Sequence, residues 1–389
     1  ATAAIGGYAG IGGAVAVNDI RDTVKSEVVD STVQTTTDGV GAIQVKAKNY
    51  ALLNATSACV GGGFAGIAGN VSVNYMQNEV TVSVKNSSLG TAAKRADSIV
   101  IKAENSSNID SNIGAVAGGV IAAGASVGVN TLDGKVRTVV DGSSLYAKNN
   151  IDILADESRT VTQYAFTAAG GALGLAGNVM YVAAGQVLSA TNEDGNKEIR
   201  DALSAGEQVN SGSIGGTNGA LTADEQTALN GTSNKLSAQE AGKSATTVAV
   251  GTFDAANASI INSSAGAVKI GATENTNTTM TGGAAAAGGC AAGGSVGIAT
   301  VNRNVGTTVS NATVNAAGNI DVTSEVKGNT NLNMYQGSAG TFAAGTAAYG
   351  KIGASGNALT AVSNSTLKNS GTITIGAKDT TGANAQSYG

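Results

Sequence analysis

The sequence predicts an all-β chain: a right-handed parallel β-solenoid (β-helix) of about six units of 52–56 residues, with one partly helical insertion. Three observations predict it. A V-x-V-N block recurs at a fixed interval, a second block with apolar residues at alternate positions recurs along the chain, and the composition is rich in Gly (56 residues) with no Pro at all. Alternation with a period of two is the signature of a strand, and a strand with one apolar face must stack on its neighbours to bury it. Parallel crossovers are right-handed as a rule.

The blocks run in a constant order. Val15-Ala16-Val17-Asn18, Val71-Ser72-Val73-Asn74 and Val127-Gly128-Val129-Asn130 place their Asn residues 56 apart. A Gly/Ala tract precedes each, as in Gly61-Gly62-Gly63-Phe64-Ala65-Gly66. Ser31, Ser87 and Ser143, again 56 apart, lead into Val33, Leu89 and Leu145. The second block begins at Ile43, Ile99, Ile151, Val268, Ile320 and Ile373, at successive intervals of 56, 52, 117, 52 and 53, which gives six units with a long insertion in the fourth. Alternation is expected to put Val15 and Val17, like Ile43 and Val45, on one apolar face with small or polar residues on the other. Each unit reads as several short strands separated by Gly, Asn, Asp and Ser turns. A unit of this length supplies two or three coils, so six units would extend on the order of 60–90 Å at ~4.8 Å per coil. A whole unit separates Asn18, Asn74 and Asn130, so they are expected at equivalent turns and not in one continuous ladder. The absence of Pro suits long pairing, since Pro removes a ladder donor.

The repeats are assigned to residues 1–188 and 248–389, and the insertion to 189–247. Charge concentrates in the insertion, with eight acids (Glu193, Asp194, Glu198, Asp201, Glu207, Asp224, Glu225, Glu240) and four bases (Lys197, Arg200, Lys235, Lys243). Thr222-Ala223-Asp224-Glu225 has capping-box spacing, and Ile199 and Leu203 make an i, i+4 pair, so two short helices are expected there. In a repeat array, insertions project from one face, which makes this segment either a plain surface insertion or a partner-binding appendage.

Composition excludes several function classes. The net charge is −5 with 13% charged residues, so no basic face exists to bind nucleic acid. No Leu/Ile/Val/Phe run resembles a membrane span; Thr281 to Ala299 is uncharged but made of Gly and Ala, which gain little by transfer to lipid. Ala1 to Gly13 carries no basic leader region, and the repeat phase at both ends leads us to expect a continuing pattern or end-to-end pairing with other subunits. Cys59 and Cys290 lie in different units, beyond the reach of a disulfide, and read as two small buried thiols. With no His, neither an imidazole base nor a His-dependent metal site is available. The adjacent acids Asp156-Glu157 and Asp224-Glu225 read as solvated turn or helix-start residues. Gly10-Ile11-Gly12-Gly13 lacks the helix and acidic partner of a dinucleotide loop, and the Gly runs lack the recurring Asp of calcium-binding repeats. No catalytic, cofactor-binding or metal-binding residue is therefore expected, and a glycan-active β-helix enzyme is the weakest of three readings.

The G-G-x-x-G-x-x-G-x-V-x-V-N tracts, with the I-x-V-x-A and S-x-V blocks, resemble the β-strand repeats of leukotoxin-type and filamentous-haemagglutinin-type adhesins, large exoproteins of Gram-negative bacteria. The resemblance covers nearly all of the chain outside the insertion and brings no catalytic residue. It implies a right-handed β-helical shaft, export to the cell surface, and contact with receptors or glycans on host or neighbouring cells. The alternative expectation is a self-assembling extracellular filament subunit, joined head to tail through open solenoid ends.

Overall fold

The computed structural model describes residues 1–185, 245–253 and 257–388. Among them there are strands and turns and no helix, and every strand pairing is parallel. One layer stacks β1 (Thr2–Ile5), β4 (Ile43–Gly62), β7 (Ile99–Gly118), the leading parts of β10 (Ile151–Ala184), β13 (Val268–Ser310) and β15 (Ile320–Ser363), and β17 (Ile373–Tyr388). The second layer stacks β2 (Ala9–Val29), β5 (Ala65–Lys85), β8 (Ile121–Asp141), β11 (Ala245–Gly251) and the trailing parts of β10, β13 and β15. A narrow third sheet is made of β3 (Thr32–Val33), β6 (Ser88–Leu89), β9 (Ser144–Ala147), β12 (Ser259–Ser263), β14 (Ala312–Ala316) and β16 (Thr366–Asn369).

The register joins each residue to its counterpart one unit further on. Ile43 pairs with Ile99, Ile99 with Ile151, Ile151 with Val268, Val268 with Ile320 and Ile320 with Ile373. A unit therefore adds one row, not the two or three coils expected, and six rows span about 24 Å. The reason is strand length. The 20 residues of β4 run about 65 Å, and Gly and Asn expected to mark turns, such as Gly66 and Asn70, lie inside β5.

Side-chain size tapers across the two layers. Where β4 turns into β5, and β7 into β8, the layers are close and packed with Ala68, Ala115, Ala117, Ala122 and Ala169. Met76, Ile109, Leu132, Met180 and Met280 fill the middle, and Ile99, Ile101, Val136, Val140 and Leu145 fill the wide end beside the third sheet. The bend at the narrow end is a column of glycines. A Cβ on Gly119 would lie 2.3 Å from the Gly63 carbonyl oxygen, one on Gly171 2.0 Å from that of Gly119, and one on Gly288 1.9 Å from that of Gly171. At the opposite corner Asp30, Asn86, Gly142, Asn311 and Asn364 all take positive φ, between 47° and 55°, the region that Gly, Asn and Asp tolerate best. The repeated serines follow that corner. The Ser31 amide donates to Ser87 Oγ (3.1 Å), and the Ser87 amide donates to Ser143 Oγ (3.0 Å).

The V-x-V-N blocks alternate as expected, with their valines on one apolar face and small or polar residues on the other. In β5 Ser72 and Asn74 face the first layer, while Val71 and Val73 take the opposite face, where Val73 is buried in an apolar cluster with Val129, Val179 and Ile298. Asn74 reaches across to Ser111 Oγ of β7 (3.2 Å), which places the polar set between the layers. The Asn residues do form a ladder: Asn18 Nδ2 donates to Asn74 Oδ1, and Asn74 Nδ2 to Asn130 Oδ1, each at 2.7 Å. This corrects the expectation of separated turns, and follows from one unit being one row. Replacing Asn74 by Ala is expected to cost about 1–3 kcal/mol, because it strands the Asn130 carbonyl group inside; chemical denaturation of the two proteins measures it.

Cys59 is buried and Cys290 is exposed, both as free thiols, so the expectation of two buried thiols holds only for the first. Cys290 sits beside the register shift that follows Gly288. The two helices expected within 189–247, with Asp224 and Glu225, lie outside the described residues. Ala245 to Thr247 belong to β11, so the repeat resumes earlier than the expected boundary. Thr281 to Ala299 lies within β13 and is paired on both sides. Among the described residues no helix is long and apolar enough to cross a membrane.

Candidate functional site

The described residues place their least ordinary chemistry between the layers. Glu157 and Arg159 share the inward phase of Ile151, Ile153, Ala155 and Val161 along β10, so alternation alone turns them inside. Their counterparts are Asn49 and Ala51 on β4, Asn105 and Ser107 on β7, and Glu274 and Thr276 on β13. Glu157 was expected to be a solvated turn residue beside Asp156. It is instead buried, and Asp156, with the opposite phase, pairs outside with Lys102 (2.8 Å).

The inward column begins as amides. Asn49 Nδ2 donates to Asn105 Oδ1 (3.2 Å), and Asn105 Nδ2 donates to Glu157 Oε1 (3.3 Å). The next two rungs, Glu157 and Glu274, are both acids in register, an arrangement that repels unless a cation lies between. Arg159 supplies it, with Nη2 2.7 Å from Glu157 Oε2 and Nη1 2.7 Å from Glu274 Oε1, and all three side chains fully enclosed. Thr246 Oγ1 donates to Glu157 Oε2 (2.9 Å), and Thr276 Oγ1 donates to Glu274 Oε1 (3.0 Å). Arg303, from the trailing part of β13, donates through Nη2 to the Thr276 carbonyl oxygen (3.0 Å). Burial pushes the Glu274 carboxyl up to about 7 against the pull of Arg159, and pulls Arg303 below its usual value. On the outward side of β8, burial also pushes Asp133 up to about 6.

An enclosed ion cluster of this kind positions backbone and stores charge; both acids bond Arg159 and a threonine, while Glu274 Oε2 and Arg303 Nε are buried with no hydrogen-bond partner among the described residues. Among the described residues no group of three His, Cys, Asp or Glu could hold a metal ion.

The outer face of the first layer is the second candidate. Near the narrow end its column reads Ala58, Gly114, Phe166, Gly283, Tyr335 and Tyr388. Phe166, Tyr335 and Tyr388 are each about half exposed, and the two tyrosine rings stack with centroids 5.2 Å apart. Further along this face, Lys48, Glu104, Lys102 and Asp156 form a chain of ion pairs across three rows. Lys327 and Lys378 both pair with Glu325 beside a shallow polar hollow lined by Asn275, Asn277 and Asn329. Neither the buried cluster nor the aromatic column was singled out from sequence. The signal for the first was an Arg and two Glu in phase with inward apolar residues.

No family model, curated protein or solved structure matches this chain.

Proposed function

We propose that this chain is a shaft segment of a secreted, surface-exposed filamentous adhesin of a Gram-negative bacterium. Its fold in this reading is a right-handed parallel β-solenoid, and it acts by rigid extension and by multivalent contact with receptors or glycans on other cells. The observation that carries the reading is the register: every unit adds one parallel row in phase with the last, so length comes from repetition and nothing in the repeat limits it. The same repetition lines up weak surface contacts, which is what avidity needs. The half-exposed aromatic column is the surface we assign to those contacts, since aromatic rings bring contact area and a polar edge.

Two measurements test it. In the native source, the polypeptide carrying this sequence is expected to have a mass well above 37.6 kDa and to be surface-exposed. Binding of the purified protein to host or neighbouring cells, followed by flow cytometry, is expected to weaken about tenfold when Phe166 and Tyr335 are both changed to Ser, with an unchanged circular dichroism spectrum. Absence of cell binding by the parent protein would sink the adhesin reading.

A second reading, the head-to-tail filament subunit, draws on the outermost rows: among the described residues β2 pairs only with β5, and β17 only with β15. Strands open on one side are templates for further pairing. Concentration-dependent light scattering with filaments in electron micrographs, at a native mass near 37.6 kDa, would favour it over the shaft.

A further inference from the structure

Charge is confined to one side of the cross-section. In every row the stretch that runs into the glycine bend and out again holds no Asp, Glu, Lys or Arg: 1–18, 49–78, 111–132, 160–184, 275–302 and 328–350. All charged side chains of these rows therefore lie further from the bend. The bend itself is a convex ridge. Phe64 follows Gly63 at the turn of one row, Val120 follows Gly119 in the next, and the two are 55% and 44% exposed although rows flank them on both sides.

Both faces beside the ridge are apolar. On the first layer an outward column reads Val60, Val116, Ala168, Ala285 and Gly337, with Val116 50% exposed. On the second layer the matching column reads Ile67, Ala123, Leu175, Ala292 and Gly345. The next column of the first layer is the aromatic one with Phe166, Tyr335 and Tyr388, and beyond it stand Thr56, Asn112, Tyr164, Thr281 and Asn333. From the ridge outward the surface thus passes from apolar to aromatic, then to amide and hydroxyl, and last to charged. Side chains meet a lipid–water boundary in that order.

We propose that the bend is a lipid-facing edge, which seats in the surface of an uncharged bilayer without crossing it. Val116 stands four residues before Val120, about 13 Å along the strand, so the apolar columns cover the ~5–10 Å to which such surfaces sink. Gly and Ala gain little there, so attachment rests on Phe64, Val120 and the neighbouring valines and is reversible. Shape and charge select this partner. A second copy would meet the ridge along a line only about 24 Å long, too little to bury the ~800 Å² per partner of a stable interface. A bilayer surface closes around a ridge without a matching groove. With no Lys or Arg beside the edge, anionic lipid adds nothing to the attraction. The inference does not rest on the adhesin reading, since a bare bilayer carries neither receptor nor glycan.

The chain has no Trp, so Phe64→Trp installs a single fluorescent reporter at the ridge. Phe253→Trp installs a control far from it, beside Asp141, where Phe253 is also exposed. On titration with phosphatidylcholine vesicles the ridge reporter is expected to shift to the blue and to be quenched by brominated acyl chains, while the control stays unmoved. Phe64→Ser combined with Val120→Ser is expected to reduce co-sedimentation with the same vesicles about tenfold or more, with an unchanged circular dichroism spectrum. An unmoved ridge reporter overturns the proposal, as does an equal shift of the control or binding that requires added phosphatidylserine. A blue-shifted ridge reporter in lipid-free protein that reverts on dilution would assign the edge to a second copy and overturn it too. Should Phe64→Trp not fold, a fluorophore on the exposed Cys290 thiol of the unaltered chain decides in the same way, since Cys290 pairs with Leu173 beside the ridge and Cys59 is buried.

Discussion

Replacing Arg159 by Met is expected to lower stability by about 3–5 kcal/mol, the usual effect of removing one partner from a buried ion pair. The substitution leaves Glu157 and Glu274 on adjacent rungs inside the layers, with only Arg303 as nearby counter-charge. The loss comes from stranded carboxylates and not from missing volume, since Met is nearly as long as Arg and apolar. Combining it with Glu157→Gln and Glu274→Gln should therefore recover most of the loss, because the triple variant carries no stranded charge. Chemical denaturation at neutral pH measures both. A loss below about 1 kcal/mol for the single variant would mean that the cluster is wet and screened.

The second large effect is expected at the bend, where neighbouring glycines separate sharply. Gly171→Ala places a Cβ 2.0 Å from the Gly119 carbonyl oxygen, and since that obstacle is backbone of the preceding row, whole rows must shift. We expect a cost of about 3 kcal/mol, the upper end for overpacking. Gly170→Ala, one residue earlier, meets nothing within 4 Å and should be close to neutral. Equal effects of the two substitutions would show that backbone freedom and not close row contact selects Gly at the bend.

The sequence made the strands and their phase legible, because Ile43, Ile99, Ile151, Val268, Ile320 and Ile373 start equivalent runs and pair in that order. It misled on row length. Gly66, Asn70 and Asn74 read as turn formers, yet a paired strand accepts them when the opposite layer supplies a close approach or an amide partner, as Asn70 shows by donating to the Ser57 carbonyl oxygen (2.6 Å). The same habit hid the polar interior. Alternation put the V-x-V-N valines on one face but did not say which face meets the first layer, and it is the Asn face, whose side chains bond rung to rung from Asn18 through Asn74 to Asn130. The charged cluster escaped notice because its acids lie far apart in sequence, at Glu157 and Glu274, and only the row register brings them together.

The one-row register also separates chain length from fold. From Ile99 to Ile151 the chain advances 52 residues and from Ile151 to Val268 it advances 117, yet each step is a single pairing of neighbouring rows. β10 and β11 lie on the same template, Ala184 opposite Leu132 and Ala245 opposite Lys135 of β8. The stack therefore counts rows and not residues, and its spacing is indifferent to how much chain is spent between one paired strand and the next.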